Sequence, residues 1–221
     1  MTAPATLSHA PLLHPALVDS STGSRSDLIR RWPGFLAQDD CEDLIDGVDP
    51  TRTWRHRVMD PRQPGGRLDP AIRNAKSADT SLVRRSIRSL LQRAVHEKIQ
   101  PSFGVEIEWI EEPQLLVYET GGHYAPHPDT AQGRMPGLRD ADRDVSVILY
   151  LNDAFEGGTL LFPELQVEIQ PAPGLLVAFP SDPRFLHGAL PVTRGIRFAI
   201  VTWMKATGTV QSAPPPPSFA P

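Results

Sequence analysis

The residues of this chain best suited to chemistry lie in the segment YETGGHYAPHPDT, which contains His127-Pro128-Asp129. Residues two apart on an extended strand point to the same side, so His127 and Asp129 can aim an imidazole and a carboxylate at one point. Two such ligands do not make a firm metal site, and a third has to come from elsewhere. The candidate is His187, in FLHGALPV, just after the apolar run GLLVAFP. Two histidines and one carboxylate on one face of a metal leave the opposite face open. That arrangement suits a non-haem Fe(II) centre, whose open positions take a co-substrate and O2. An HxD triplet alone fits two surface residues in a loop equally well, so its surroundings have to decide.

Ten residues after His187 lies Arg197, in RGIRFAIVTWM. If this run is a strand, Arg197, Ala199, Val201 and Trp203 share a face. A guanidinium on an otherwise apolar inward face is costly unless it is paired. A bound dicarboxylate would pair it through the two-pronged geometry that arginine favours. The other face, with Ile196, Phe198, Ile200 and Met204, is also apolar. Periodicity therefore leaves open which face turns inward.

The elements that must position these residues follow a clear order. A short helix is expected to start near Asp39 or Asp40, either of which can cap it, and to run through CEDLIDGV. A longer helix is expected from about Ser81 to Ile99, with Val83, Ile87, Leu90, Leu91, Ala94 and Val95 at helical spacing and a solvated face of arginines. From residue 105 the pattern changes to short β-branched or aromatic runs bounded by Gly, Pro or Asn: VEIEWIE, QLLVYE, DVSVILYLN, TLLFP, VEIQ, GLLVAFP and IRFAIVTWM. Helices followed by strands predict an α+β domain, with helices covering one face of an antiparallel sandwich or barrel. Such a fold keeps a cavity at its mouth. Residues 1–25 read as a flexible N-terminal segment, 26–206 as the folded domain and 207–221 as a flexible Pro-rich tail. The polar, glycine-containing stretch DTAQGRMPGLRDADRD reads as a candidate lid, whose Arg134 and Arg139 read as solvated, with contact to a substrate carboxylate as the alternative.

Bulk properties exclude several classes. Charged residues make up 22% of the 221 and the net charge is −4, so no broad basic surface points to nucleic acid. No run approaches the ~20 apolar residues that span a bilayer. The N-terminus lacks the basic start of a secretory signal. The single cysteine, Cys41, forms no intrachain disulfide and reads as a small core or surface residue. A reducing compartment suits it, and the expected location is cytoplasmic.

The span from Tyr118 to Asp129 reads Tyr-x-x-Gly-x-x-Tyr-x-x-His-x-Asp. It resembles the core motif of the prolyl 4-hydroxylase-like branch of the Fe(II)/2-oxoglutarate dioxygenases. RDVSVILYLNDAFEGGTLLFP resembles that family's strand ending in Tyr-Leu-Asn, then Gly-Gly and a Phe-Pro turn. HGALPVTRGIRFAIVTWM resembles its closing segment, and RNAKSADTSLV the stretch before its long helix. The resemblance covers about residues 33–205 and is strongest from 115 onward.

The resemblance implies a distorted double-stranded β-helix (jelly-roll) core with N-terminal helices packed on one sheet. It implies Fe(II) held by His127, Asp129 and His187, with 2-oxoglutarate and O2 as co-substrates and ascorbate as a reductant. Arg197 would pair with the distal carboxylate of 2-oxoglutarate. Tyr150 matches a tyrosine that bonds the same carboxylate, and Tyr118 one near the metal-facing end. Core packing with a satisfied hydroxyl is the alternative for both tyrosines. His123 falls at a variable position and reads as substrate-side or exposed.

The implied reaction hydroxylates an unactivated C–H bond and releases succinate and CO2. The absence of an added peptide-binding module favours an amino-acid-like or natural-product small molecule as substrate. The runner-up is a prolyl residue in a protein or peptide. A reading of another class is a non-catalytic binding or regulatory protein that keeps the fold. No nucleic-acid or membrane partner is expected.

Overall fold

The computed structural model describes residues 14–18, 23–60, 63–130 and 142–221. Arg134, Arg139 and most of the expected lid lie outside the described residues, as does most of the N-terminal segment.

Two antiparallel sheets form the centre of the protein. The larger has nine strands, running Arg30–Trp32, Leu176–Pro180, Val145–Tyr150, Arg197–Ala206, Gln114–Tyr118, Lys76–Asp79 and Asp49–Arg55 in spatial order. Ile107–Glu111 pairs with the far end of Arg197–Ala206, and Ser218–Phe219 pairs with Ile107–Glu111. The smaller sheet has five strands, in the order Val167–Ile169, Leu160–Phe162, His187–Ala189, His123–His127 and Arg73–Asn74. This is the jelly-roll expected of the sequence, a double-sheet solution to the edge problem of antiparallel strands.

The central strand Val145–Tyr150 explains the layering. It is buried on both faces, and its side chains alternate with period two. Val145, Val147 and Leu149 join one apolar cluster with Cys41, Leu44, Ile87, Leu91 and Ala94 of the helices. Ile148 and Tyr150 join a second cluster with Val177, Phe179, Leu160, Phe162 and Ile169, drawn from both sheets. The helices therefore cover one face of the large sheet, and the small sheet covers the other. Truncating Leu149 to Ala would cost about 2–5 kcal/mol, as for other large core deletions.

The same alternation settles the orientation of the arginine strand. Ile200 and Met204 belong to the helix-side cluster and Ala199 to the inter-sheet cluster. Arg197 therefore points between the sheets, where it is 3% exposed. Asn152 fixes the adjacent register: its Oδ1 accepts from Phe198 N at 2.9 Å, and its Nδ2 donates to Ile196 O at 2.7 Å.

The helices differ in detail from the sequence reading. The first covers Gln38–Asp46 with Ala37 at the N-cap and no side-chain cap bond. Asp39 and Asp40 lie in its first turn instead, where the positive end of the helix dipole favours them. The longer helix spans Arg84–Ala94, passes through one wide turn at Val95–Ile99, and continues as Gln100–Phe103. It stops at Gly104, whose φ of 64° lies in the left-handed region glycine tolerates. The Pro-rich segment read as a flexible tail is laid on the domain through the Ser218–Phe219 pairing and a bond from Gln92 Nε2 to Ala220 O of 3.0 Å. Unpaired backbone groups on Ile107–Glu111 gain partners by this contact. No helix among the described residues is long and apolar enough to cross a membrane.

Candidate active site

His127 ends the strand His123–His127, and Asp129 follows two residues later. His187 opens the neighbouring strand His187–Ala189 and pairs directly across from His127. The ladder thus brings two histidines distant in sequence side by side. Their Nε2 atoms lie 3.7 Å (His127) and 3.4 Å (His187) from the carboxylate oxygens of Asp129. One ligand atom from each of the three residues falls within 4.8 Å of the others. That spacing suits three donors converging on one divalent cation.

The tautomers are set by backbone carbonyls, which only accept. His127 Nδ1 is 2.9 Å from Ala125 O and His187 Nδ1 is 3.1 Å from Phe185 O. Each Nδ1 therefore carries the proton, and each Nε2 keeps a lone pair directed at Asp129. Ser146 Oγ donates to Asp129 Oδ2 at 2.7 Å. Its remaining acceptor capacity takes the Ser181 hydroxyl at 2.8 Å. Phe179 and Phe162 wall the His187 ring at centroid distances of 4.6 and 5.7 Å, and Tyr124 stacks on His127 at 3.6 Å. Burial pushes the His127 imidazole well below its ordinary range, and neighbouring His187 adds to this. Burial alone would raise the Asp129 carboxyl. The two imidazoles, Arg143 and the Ser146 hydroxyl outweigh it and hold the carboxyl below the usual range. Neutral imidazoles with an ionised carboxylate are the protonation states a metal requires.

A second polar feature lies deeper between the sheets. Arg197 Nη1 donates to Gly158 O at 2.6 Å, and its guanidinium sits over the rings of Tyr118 at 4.3 Å and Tyr150 at 5.4 Å. Gly157 and Gly158 turn the chain here with φ of 76° and 66°. A Cβ on Gly157 would meet Pro191 O at 2.3 Å, so glycine is required. Arg197 Nε and the Tyr150 hydroxyl are buried and have no hydrogen-bond partner among the described residues. Burial pushes the Tyr150 phenol up to about 12, against the pull of Arg197. A buried cation and two donors without acceptors make a hole that a carboxylate would complete. The residues present therefore fit both a divalent metal and a dicarboxylic acid.

A cavity of about 540 Å³ joins these two features and includes His127, Asp129, His187, Tyr118 and Arg197 in its wall. Tyr150 is not part of this wall in the ligand-free protein and lies beside Arg197, with the guanidinium 5.4 Å from its ring centroid. Trp203 lines the cavity, whereas Phe185 is core, 1% exposed between the sheets. His123 lies outside it, held by Gly121 O and Ala71 O. Sequence reasoning missed Ser146 and Ser181 behind Asp129. It also missed Arg143, whose guanidinium lies 3.6 Å over the Trp203 ring, and Arg73, His56 and Tyr124, which line the same cavity. Small polar residues inside apolar strands, as in VSVILY, are the one signal that could have pointed to Ser146.

Comparison with known proteins agrees with this geometry. The family model described as the 2OG-Fe(II) oxygenase superfamily matches residues 113–205. Prolyl 4-hydroxylase subunit alpha-1 of Gallus gallus is 29% identical over 192 residues, which cover 81% of this chain. The match spans only 36% of that subunit's own length. Probable prolyl 4-hydroxylase 3 of Arabidopsis thaliana is 26% identical over 199 residues, covering 78% of this chain and 67% of the plant protein. Among solved structures, the viral collagen prolyl hydroxylase of Paramecium Bursaria Chlorella virus-1 superposes with a TM-score of 0.59 at 19% identity, covering 83% of this chain and 97% of that one. A Trichoplax adhaerens prolyl hydroxylase, in complex with a hypoxia inducible factor peptide fragment, superposes with a TM-score of 0.62 at 20% identity, covering 81% and 84%. The family match runs from before the HxD strand through most of the arginine strand, and the shared fold extends over most of the remaining chain, so this chain is similar in sequence to the 2OG-Fe(II) oxygenase superfamily and in sequence and fold to its prolyl 4-hydroxylases.

Proposed function

We propose that this chain is an Fe(II)- and 2-oxoglutarate-dependent dioxygenase that hydroxylates a prolyl residue of a peptide or protein. The observation that carries the reading is the convergence of His127, Asp129 and His187 in one cavity with a buried arginine whose Nε, like the neighbouring Tyr150 hydroxyl, has no acceptor among the described residues. Bound Fe(II), with 2-oxoglutarate and O2, supplies the oxidative decarboxylation that transfers one oxygen atom to a C–H bond and the other to succinate. The protein supplies geometry. His127, Asp129 and His187 would hold the metal. Arg197 and Tyr150 take the distal carboxylate of 2-oxoglutarate, and the Tyr118 ring packs against the arginine that does so. Ser146 orients the Asp129 carboxylate. The aromatic walls of Phe179, Phe162 and Tyr124 exclude water from the imidazoles.

The peptidyl substrate replaces the small molecule favoured from sequence alone, because the relatives are described as prolyl 4-hydroxylases and one solved neighbour holds a peptide. We assign the dioxygenase domain to residues 26–206. Ascorbate would keep the iron reduced, and a cytoplasmic setting fits the single buried thiol of Cys41. The test is succinate release with Fe(II), 2-oxoglutarate and a panel of proline-containing peptides, set beside free proline and other amino acids. A peptide that gains one oxygen atom on proline supports the reading. Turnover on free amino acids alone would return the substrate to the small-molecule class. Absence of succinate with every substrate, and of uncoupled 2-oxoglutarate turnover, would favour a binding protein with the same fold.

A further inference from the structure

Arg143 lies in the cavity wall and is 8% exposed. Its Nε and Nη2 donate to the two carboxylate oxygens of Glu111 at 2.8 and 2.7 Å. Its Nη1 reaches Asp129 O at 3.4 Å, and its plane covers Trp203. The arginine thus bridges a proposed metal ligand and the substrate side of the cavity. Its own position depends on what holds the backbone on either side and on what holds Glu111.

Each of the three supports makes at least one contact with the C-terminal segment. Before Arg143, the Asp142 carboxylate is 2% exposed and accepts from Ser212 N and Ser212 Oγ, both at 2.8 Å, and from Ala213 N at 3.0 Å. After it, the Asp144 carboxylate is 1% exposed and accepts from Ala206 N at 2.8 Å, Thr209 Oγ1 at 2.7 Å and Lys205 Nζ at 3.3 Å. Glu111 pairs in register with Ser218, and Glu112 N donates to Pro217 O at 2.8 Å. Arg88 anchors this end, bonded to Glu112 and lying 5.0 Å over the Phe219 ring. A buried carboxylate that loses such donors must be hydrated or neutralised, which costs more than an ordinary hydrogen bond. Undocking residues 207–219 would therefore strip Asp142 of its Ser212 and Ala213 donors and Asp144 of Thr209, leave Asp144 its bonds to Lys205 and Ala206, and open the outer edge of the Glu111 strand, so Asp142 is where the loss falls hardest.

We propose that the C-terminal segment is a positioning element of the active site, with Asp142 as the residue through which it holds Arg143 across the cavity. The segment acts first on substrate binding, more weakly on the proposed metal ligand Asp129, and leaves the 2-oxoglutarate hole untouched. This rests on reading the cavity as a substrate site, so the test includes a measurement that needs no turnover.

The variants are Asp142→Ala and Asp142→Asn in the full-length chain. Asp142→Ala is expected to raise the KM for a proline-containing peptide about tenfold with kcat little changed, as loss of charge-assisted hydrogen bonds at one site implies. Asp142→Asn keeps an acceptor and should recover part of that loss. The 2-oxoglutarate affinity should stay at the wild-type value, and the iron affinity should fall by less than the peptide affinity, because Arg143 also reaches the Asp129 carbonyl. Hydrogen–deuterium exchange of the metal-free proteins should show faster exchange at 142–147 and 110–112 as well as at 207–219. Faster exchange confined to 207–219, an unchanged peptide KM, or an equal loss of iron and 2-oxoglutarate binding would each overturn the proposal. Absence of turnover in the wild type would fault the functional reading instead, and the exchange data would still decide whether the segment holds Arg143.

Discussion

His127 and His187 stand with ring centroids 4.6 Å apart, and each gives its Nδ1 proton to the carbonyl of the residue two before it. The two imidazoles are thus oriented by the same local device on two adjacent strands. Both present Nε2 to Asp129 before any metal arrives. Replacing Asp129 with Ala should abolish Fe(II) binding and leave the metal-free protein folded. Its melting temperature should fall by only a few degrees, because the favourable ionisation of Asp129 is lost while Ser146 keeps Ser181 and Arg143 keeps Glu111 as partners. Calorimetric titration with Fe(II) under anaerobic conditions and a thermal melt check the two halves separately. Retained iron binding would refute the role of Asp129.

Ser146 touches the Asp129 carboxylate and is not one of the three residues that would hold the metal. Ser146→Ala should weaken Fe(II) binding by about 10- to 100-fold, the usual effect of losing a hydrogen bond to a metal-ligating group. The 2-oxoglutarate affinity of the iron-saturated protein should change much less. A variant with wild-type iron affinity would show that the strand alone positions Asp129.

Tyr150 offers a prediction of opposite signs. Its hydroxyl is buried without a partner among the described residues. Tyr150→Phe should therefore stabilise the ligand-free protein, by up to about 1–3 kcal/mol on the usual cost of an unsatisfied buried polar group. The same change should weaken 2-oxoglutarate binding. Arg197→Ala should weaken it more and also destabilise the protein, since it empties the space over Tyr118. Thermal melts with and without 2-oxoglutarate measure both effects. A Tyr150→Phe protein that is less stable without ligand would contradict the idea of an acceptor-seeking hole.

His56 should give the protein a pH-dependent stability. Burial, and then Arg73, lower its imidazole from an ordinary 6.5 to about 4. The unfolded chain takes up the proton near pH 6.5 and the folded protein only near pH 4. Its contribution is therefore present in full above pH 6.5 and is lost as the pH falls towards 4. His56→Gln should remove this part of the slope, so that wild type and variant converge or cross between pH 6.5 and 4 in urea melts. A stability difference that is constant over this window would exclude the assignment.

Much of the site was legible because strand periodicity is local. His127 and Asp129 share a side on any extended chain, and the YETGGHYAPHPDT and HGALPVTRGIRF segments carry their residues at fixed spacings. What stayed hidden depends on contacts between distant segments. The face of Arg197 was ambiguous because both faces of its strand are buried, one against the helices and one against the small sheet. Lys76–Asp79 reads as polar, yet it becomes a strand because Gln114–Tyr118 offers it an open edge. Asp39 and Asp40 resemble caps, but the helix begins earlier at Gln38. The Pro-rich composition of 207–221 suggested a solvated tail, and nothing local reports that Asp142 would accept from Ser212 across 70 residues. Arg143 and Glu111 find each other the same way.

The most direct measurement is an anaerobic titration of the metal-free protein with Fe(II) and then 2-oxoglutarate, followed by visible absorption. The account predicts a metal-to-ligand charge-transfer band when both are present, its loss in His187→Ala, and a higher 2-oxoglutarate concentration for half-saturation in Arg197→Ala. Iron binding without the band, or a band that survives in His187→Ala, would contradict the proposed centre.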